Sequence, residues 1–164
     1  NLDPANETAP FEWDVDIFDL ISVEETMEEL KLGPNGSLIY AMEFLKTNIT
    51  WLFDRLRSFQ KQKHHEGEEI DICPYFIFDL PGQVELFSNS DILSSILQSL
   101  SKELNFNFVT ISLTDVSCIL ETSKFFSNVF LSLTSMMQTE SPFIHILNKA
   151  VFSPDLTLPS SDLT

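Results

Sequence analysis

The chain has 164 residues, 43% of them apolar and 12% aromatic, enough for one domain with a real core, and this excludes a chain disordered throughout. It carries 25 acidic and 9 basic residues, a net charge of −16, which opposes non-specific binding to nucleic acid or an anionic membrane and suits a protein that meets basic surfaces or works with a bound cation. Two cysteines, Cys73 and Cys118, are too few for a disulfide framework and are expected to be reduced and intracellular, Cys118 as a small buried residue.

No signal peptide is visible, and no apolar run approaches the ~18 residues of a membrane span. Asn6-Glu7-Thr8 and Asn48-Ile49-Thr50 match the glycosylation pattern, but nothing else points to secretion. Residues 1–14 are polar, with two prolines, and read as a loop. Ser22-Val23-Glu24-Glu25 forms a capping box. A short helix follows to about Leu32, with Gly33 in the C′ position and Pro34 ending it. Gly36 or Ser37 opens a longer helix. Leu38, Ala41, Leu45, Leu52 and Leu56 fall on one face of it, with Phe44 and Ile49 beside them.

Residues 59–73 are charged and aperiodic and read as a solvated insertion, with His64 and His65 as solvated residues rather than a metal pair. "YFIFDL" (75–80) reads as a buried strand. Ser90-Asp91 caps a helix through about Glu103. "FNFVTISLTD" (106–115) is a second buried strand. Residues 122–139 form a helix with Phe125, Phe126, Val129, Leu133 and Met136 inward, and Met136-Met137 as core filler. "PFIHILNK" (142–149) is a third strand, and 150–164 a Pro/Ser-rich tail. Apolar strands alternating with helices predict an α/β fold, a three-layer parallel sheet flanked by helices. Its ligands would bind beyond the carboxyl ends of the strands.

The chemistry is therefore sought at the strand ends. Strand 75–80 runs into Asp79-Leu80-Pro81-Gly82-Gln83. An Asp there can hold Mg²⁺ through water, Gly82 lets a backbone amide approach a phosphate, and Gln83 and Glu85 can position water. Strand 142–149 ends in Asn148-Lys149. An N-K-x-D order at that place reads guanine in many GTPases, but the fourth residue here is Val151. Asp3, in the opening hexapeptide NLDPAN, is a further candidate to hold Mg²⁺ or orient water.

NLDPAN, Gly33-Pro34-Asn35-Gly36 and DLPGQVELF, in this order, resemble the GPN-loop GTPases. The likeness covers about residues 1–149, and NLDPANE and MEFLKTNITWL are most similar to the second eukaryotic paralogue. It implies a P-loop NTPase-like fold, GTP and Mg²⁺, and a homodimer or a heterodimer with a GPN-loop paralogue. It also implies a role in RNA polymerase assembly and nuclear import, hence a cytoplasmic protein that shuttles to the nucleus.

Carried over by residue, the likeness places Gly33, Pro34 and Asn35 at a partner's phosphates. Asp79, Gly82 and Gln83 form the loop near the γ-phosphate and Mg²⁺, Asp3 is the first-switch acid, and Asn148 and Lys149 lie by the base. An amide such as Asn35 can hydrogen-bond a phosphate oxygen or the attacking water. Supplied in trans, it would make hydrolysis depend on dimerisation.

The chain departs from the family pattern in three places. No G-K-[ST] occurs in it, so the N-terminal phosphate-loop segment is expected to be missing, and residues 1–164 alone are expected to bind no GTP. Val151 replaces the base-reading Asp, and the tail replaces the family's last elements. The alternative is a nucleotide-incompetent dimerisation or assembly module. A partitioning-type ATPase also carries a D-P pair after its second strand, but the GPN tetrad argues against it.

Overall fold

A computed structural model describes residues 1–6, 11–62, 75–83, 85–86 and 91–149. The chain divides into two units, Asn1–Asn107 and Phe108–Thr164.

In the first unit, Asp16 caps a 3-10 turn, Ile17–Asp19, by accepting from the Phe18 amide at 3.2 Å, and Ile17 is buried beneath it. Ser22 caps helix α1 (Val23–Leu30), its hydroxyl accepting from the Glu25 amide at 3.4 Å, as the capping box predicts. The end of α1 differs from expectation. Lys31 takes the left-handed conformation, φ 53°, that the sequence assigns to Gly33. Gly33 is extended (φ −73°, ψ 169°) and is the N-cap of helix α2, Pro34–Thr47. Pro34 therefore starts a helix rather than ending one. Its missing N–H lies in the first turn, where no intrahelical acceptor exists anyway.

The expected single long helix is two. Helix α3 (Ile49–Gln62) follows a break at Asn48. The Asn48 backbone amide and side-chain amide both donate to the Phe44 carbonyl at 2.9 Å, a local side-chain bond that competes with helix continuation. Because α3 runs through Gln62, it takes the first four residues of the predicted insertion. The rest, with His64, His65 and Cys73, lies outside the described residues, as does the 150–164 tail. Helix α4 (Ile92–Leu104) starts after Asp91, as predicted.

The core of this unit is Leu38, Ala41, Met42 and Leu45 of α2, Leu52, Phe53 and Leu56 of α3, and Ile92, Leu93, Ile96, Leu97 and Leu100 of α4, with α2 and α3 both against α4. Each fully buried Leu or Ile contributes about 1.5–3 kcal/mol. The predicted stripe is buried, with Phe44 and Ile49 half-buried at its margin.

Residues 75–80 correct the sequence reading. They form no ladder, and Tyr75 and Ile77 are 98% and 95% exposed. A strand needs a continuous row of paired amides, which this run lacks, although the Leu2 N–H donates to the Asp79 carbonyl at 2.9 Å. On the other face Phe76 stacks on Phe106, centroids 5.1 Å apart.

The second unit holds strand β1 (Thr110–Asp115), a short helix α5 (Ser117–Leu120), helix α6 (Thr122–Thr139) and strand β2 (Phe143–Asn148). The strands pair in parallel, from Thr110 with Phe143 to Asp115 with Asn148. The sheet direction and α6 are as predicted, but β1 starts four residues later than expected. The predicted burial fails here. Leu113, Phe126 and Phe130 are 65%, 54% and 65% exposed, and Phe125, Val129, Leu133 and Met136 are exposed too. So are Ile144, Ile146 and Leu147 on β2, while Cys118 is a half-buried free thiol rather than a core residue. A parallel strand is buried when helices cover both faces. Within this unit α6 lies against β1, and one helix cannot cover two faces. Among the described residues no helix is long and apolar enough to cross a membrane.

Candidate functional site

Three loops meet in the first unit. The loop 1–6 is organised by Asn1. Its Oδ1 accepts from the Asp3 amide at 3.0 Å, and its Nδ2 donates to the Asn6 carbonyl at 3.1 Å and to Asp16 Oδ1 at 3.0 Å. Asp3 Oδ1 accepts from the Ala5 amide at 2.9 Å, and the Asn6 amide donates to the Asp3 carbonyl at 3.2 Å. Leu2 and Pro4 are buried, which anchors the loop by its apolar members.

The second loop, 79–83, is tied to the first at two points. The Leu2 amide donates to the Asp79 carbonyl, and Asn6 Nδ2 donates to Asp79 Oδ2 at 3.0 Å. Pro81 is fully buried, whereas Gly82 is exposed, and a Cβ placed on Gly82 would meet nothing within 4 Å. The chain's own packing does not require glycine there, and the space beside it is open.

The third loop is the start of α2. Gln83 Nε2 donates to Asn35 Oδ1 at 3.2 Å. Gln83 Oε1 is buried without a hydrogen-bond partner, as is Ser37 Oγ one turn into α2. Gly33, Pro34 and Asn35 are exposed at the head of that helix.

The structure thus brings Asp3, Gly33, Pro34, Asn35, Asp79, Gly82 and Gln83 into one unit and links Asn35 to Gln83 directly. Asn148 and Lys149 stand in the other unit, at the end of β2. Lys149 Nζ pairs with Asp115 Oδ2 at 3.0 Å, and the Lys149 amide donates to Asn148 Oδ1 at 2.8 Å. The Asn148 carbonyl accepts from the Val116 amide at 2.9 Å. The Ser117 amide donates to Asp115 Oδ1 at 2.9 Å. That backbone bond first, then the Ser117 side chain and Lys149, hold the Asp115 carboxyl down at about 2. Val151 lies outside the described residues.

Two polar residues escape a reading of the sequence. Asn6 is inside NLDPAN but has no signal of its own. Asp115 had one: like Asp79, it is the acid on which an apolar run ends.

Asp3 and Asp79 carry carboxylate oxygens, the ligand type that a hard cation takes. Among the described residues no hydrogen bond reaches Asp79 Oδ1 or Asp3 Oδ2, and both residues are half-buried. Among the described residues no group of three metal-ligating side chains occurs. Mg²⁺ is commonly held by one or two carboxylates, with waters and substrate phosphates completing the shell.

Comparison with known proteins bears on the family and the fold. The family model described as "Conserved hypothetical ATP binding protein" matches residues 1–158. GPN-loop GTPase 3 of Eremothecium gossypii is 40% identical over 149 residues, 91% of this chain and 51% of that protein. GPN-loop GTPase 2 of Danio rerio is 41% identical over 149 residues, 91% of this chain and 44% of that one. The chain spans about half the length of these relatives, and the two numbered paralogues are about equally identical to it. The crystal structure of a GTPase in apo form from Pyrococcus abyssi superposes with a TM-score of 0.69 at 19% identity, over 91% of this chain and 54% of that one. That likeness shows the fold, a parallel sheet flanked by helices. With the family model over 1–158 and the NLDPAN, GPN and DLPGQ loops in place, the chain belongs to the GPN-loop GTPase family.

Proposed function

We propose that the protein carrying this chain binds and hydrolyses GTP with Mg²⁺ as a dimer, with itself or with a GPN-loop paralogue. We further propose that it serves the assembly and nuclear import of RNA polymerase complexes. The observation that supports the reaction most directly is the tethering of Asp79 to the Asp3 loop, beside an exposed Gly82 and an unpartnered Gln83 Oε1.

Phosphoryl transfer is mostly positioning and charge neutralisation, and the chain's groups divide that work. Asp79 and Asp3 would hold Mg²⁺ through water, and the ion would neutralise charge on the phosphate oxygens. Gly82 leaves room for its backbone amide to meet a phosphate. Gln83 Oε1, buried and without a donor, is suited to accept a hydrogen bond from the attacking water and so orient it. Asn35 has its Oδ1 engaged by Gln83, so its Nδ2 is the group left to donate to a phosphate oxygen of the partner. Asn148 and Lys149 would lie by the base. The net charge of −16 suits basic client surfaces.

The test is titration of the intact protein with fluorescent GTP and ATP analogues, with and without Mg²⁺, while mass is read by light scattering. GTP is expected to bind over ATP, to need Mg²⁺ for tight retention, and to be hydrolysed by the dimer. ATP preference, or hydrolysis by a monomer, would contradict this reading. A dimer that takes up no nucleotide would support the assembly-module alternative instead.

A further inference from the structure

We propose that Asn6 is a positioning residue for Asp79, fixing one carboxylate oxygen so that the other faces a hard divalent cation. This rests on the functional reading above, but its geometric half stands without it.

A carboxylate on a loop has two free torsions, and orienting it costs conformational entropy each time a ligand binds. Here that orientation is set beforehand. The Asp79 backbone is pinned by the Leu2 amide at 2.9 Å and its side chain by Asn6 Nδ2 at 3.0 Å. Asn6 is itself pinned, since its backbone amide donates to the Asp3 carbonyl and its carbonyl accepts from Asn1 Nδ2. The side-chain amide therefore departs from a fixed point. It spans 73 positions of sequence to reach Asp79.

The donor type matters as much as its place. An N–H to a carboxylate is a charge-assisted bond, stronger than a neutral one. An amide supplies it without bringing positive charge. A lysine or arginine at position 6 would orient Asp79 equally well, but would cancel the charge that attracts the cation. Asn6 takes Oδ2 and, among the described residues, leaves Oδ1 without a hydrogen-bond partner. Because the same six residues carry Asp3, both acids are referred to one frame. A shift at Asp79 on ligand binding would be felt at Asp3.

Replacing such an outer partner typically weakens metal affinity 10–100-fold. The test is Asn6→Leu, close in size but without a donor, in the intact protein. Two readings are taken. In crystals of the variant the Asp79 carboxylate is expected to leave its wild-type rotamer or to spread over two. In solution the Mg²⁺ concentration for half-maximal retention of a fluorescent GDP is expected to rise about tenfold or more, with metal-free nucleotide affinity unchanged. A merely structural residue would weaken both affinities together. An Asp79 rotamer unchanged in the variant, or an unshifted Mg²⁺ curve, overturns the proposal. Should Asn6→Leu fail to fold, Asn6→Ser, too short to reach Asp79, gives the same two readings. If the wild type itself retains no nucleotide, the functional reading falls, and the crystallographic arm alone decides this one.

Discussion

Asp115 holds its negative charge through three partners, and that has a definite pH signature. Its folded pKa is lowered from 3.8 to about 2, chiefly by the Ser117 backbone bond. A depressed carboxyl contributes stability that is fully present above the unfolded value and is lost as pH falls through the folded value. The Lys149 pair is therefore intact at neutral pH and opens between about pH 4 and 2. A carbon-detected NMR titration should place the Asp115 midpoint near 2. In Lys149→Met the midpoint should rise only part of the way, because the Ser117 amide still donates. At this scale the sequence was least readable. A glycine is the expected residue for a left-handed helix stop, so Gly33 drew the assignment that Lys31 takes. No local pattern marks Asn6, because its partner is 73 positions away.

Among the elements, α4 shows what periodicity can and cannot say. The helix is expected from the Ser90-Asp91 cap alone, and its buried positions, Ile92, Leu93, Ile96, Leu97 and Leu100, follow the helical repeat, with α2 and α3 closing over them. Leu100 has no exposed surface. Leu100→Ala should cost about 2–5 kcal/mol, the lost transfer energy plus the cavity. The exposed Gln98→Ala in the same helix should stay within about 0.5 kcal/mol. Urea unfolding of both variants measures the difference, and equal midpoints would refute the assignment of this face to the core. The helices were readable because each carries its own hydrogen bonds and its own stripe. The run 75–80 was not, since a ladder is made by neighbours and hydrophobicity alone does not supply them. The exposed apolar residues of α6 have the same origin. The repeat identifies a face, but only tertiary contact buries it. Of the candidate site, the three loops were recognisable from their motifs, while the bonds joining Asn6 to Asp79 and Gln83 to Asn35 were not.

For the whole molecule, a net charge of −16 is a standing self-repulsion. Raising ionic strength from about 0.01 M to about 0.15 M shortens the screening length from about 30 to about 8 Å. The thermal midpoint should rise, by about 2–4 °C for each 1 kcal/mol of repulsion screened. A midpoint that falls with added salt would show that attractive pairs such as Arg55–Asp19 and Lys149–Asp115 dominate the field instead. The parallel register of the second unit has a consequence in time as well as in space. Thr110 pairs with Phe143, a separation of 143 − 110 = 33 residues. At a synthesis rate of about 5–20 residues per second, β2 leaves the ribosome roughly 2–7 s after β1. Helix formation takes about a microsecond, so α6 can coil long before its sheet exists. For those seconds β1 is a strand with an open edge, closed at its end by the charge of Asp115. Nascent chains are therefore most exposed to mispairing in that interval, and a chaperone acting on this protein would have its window there.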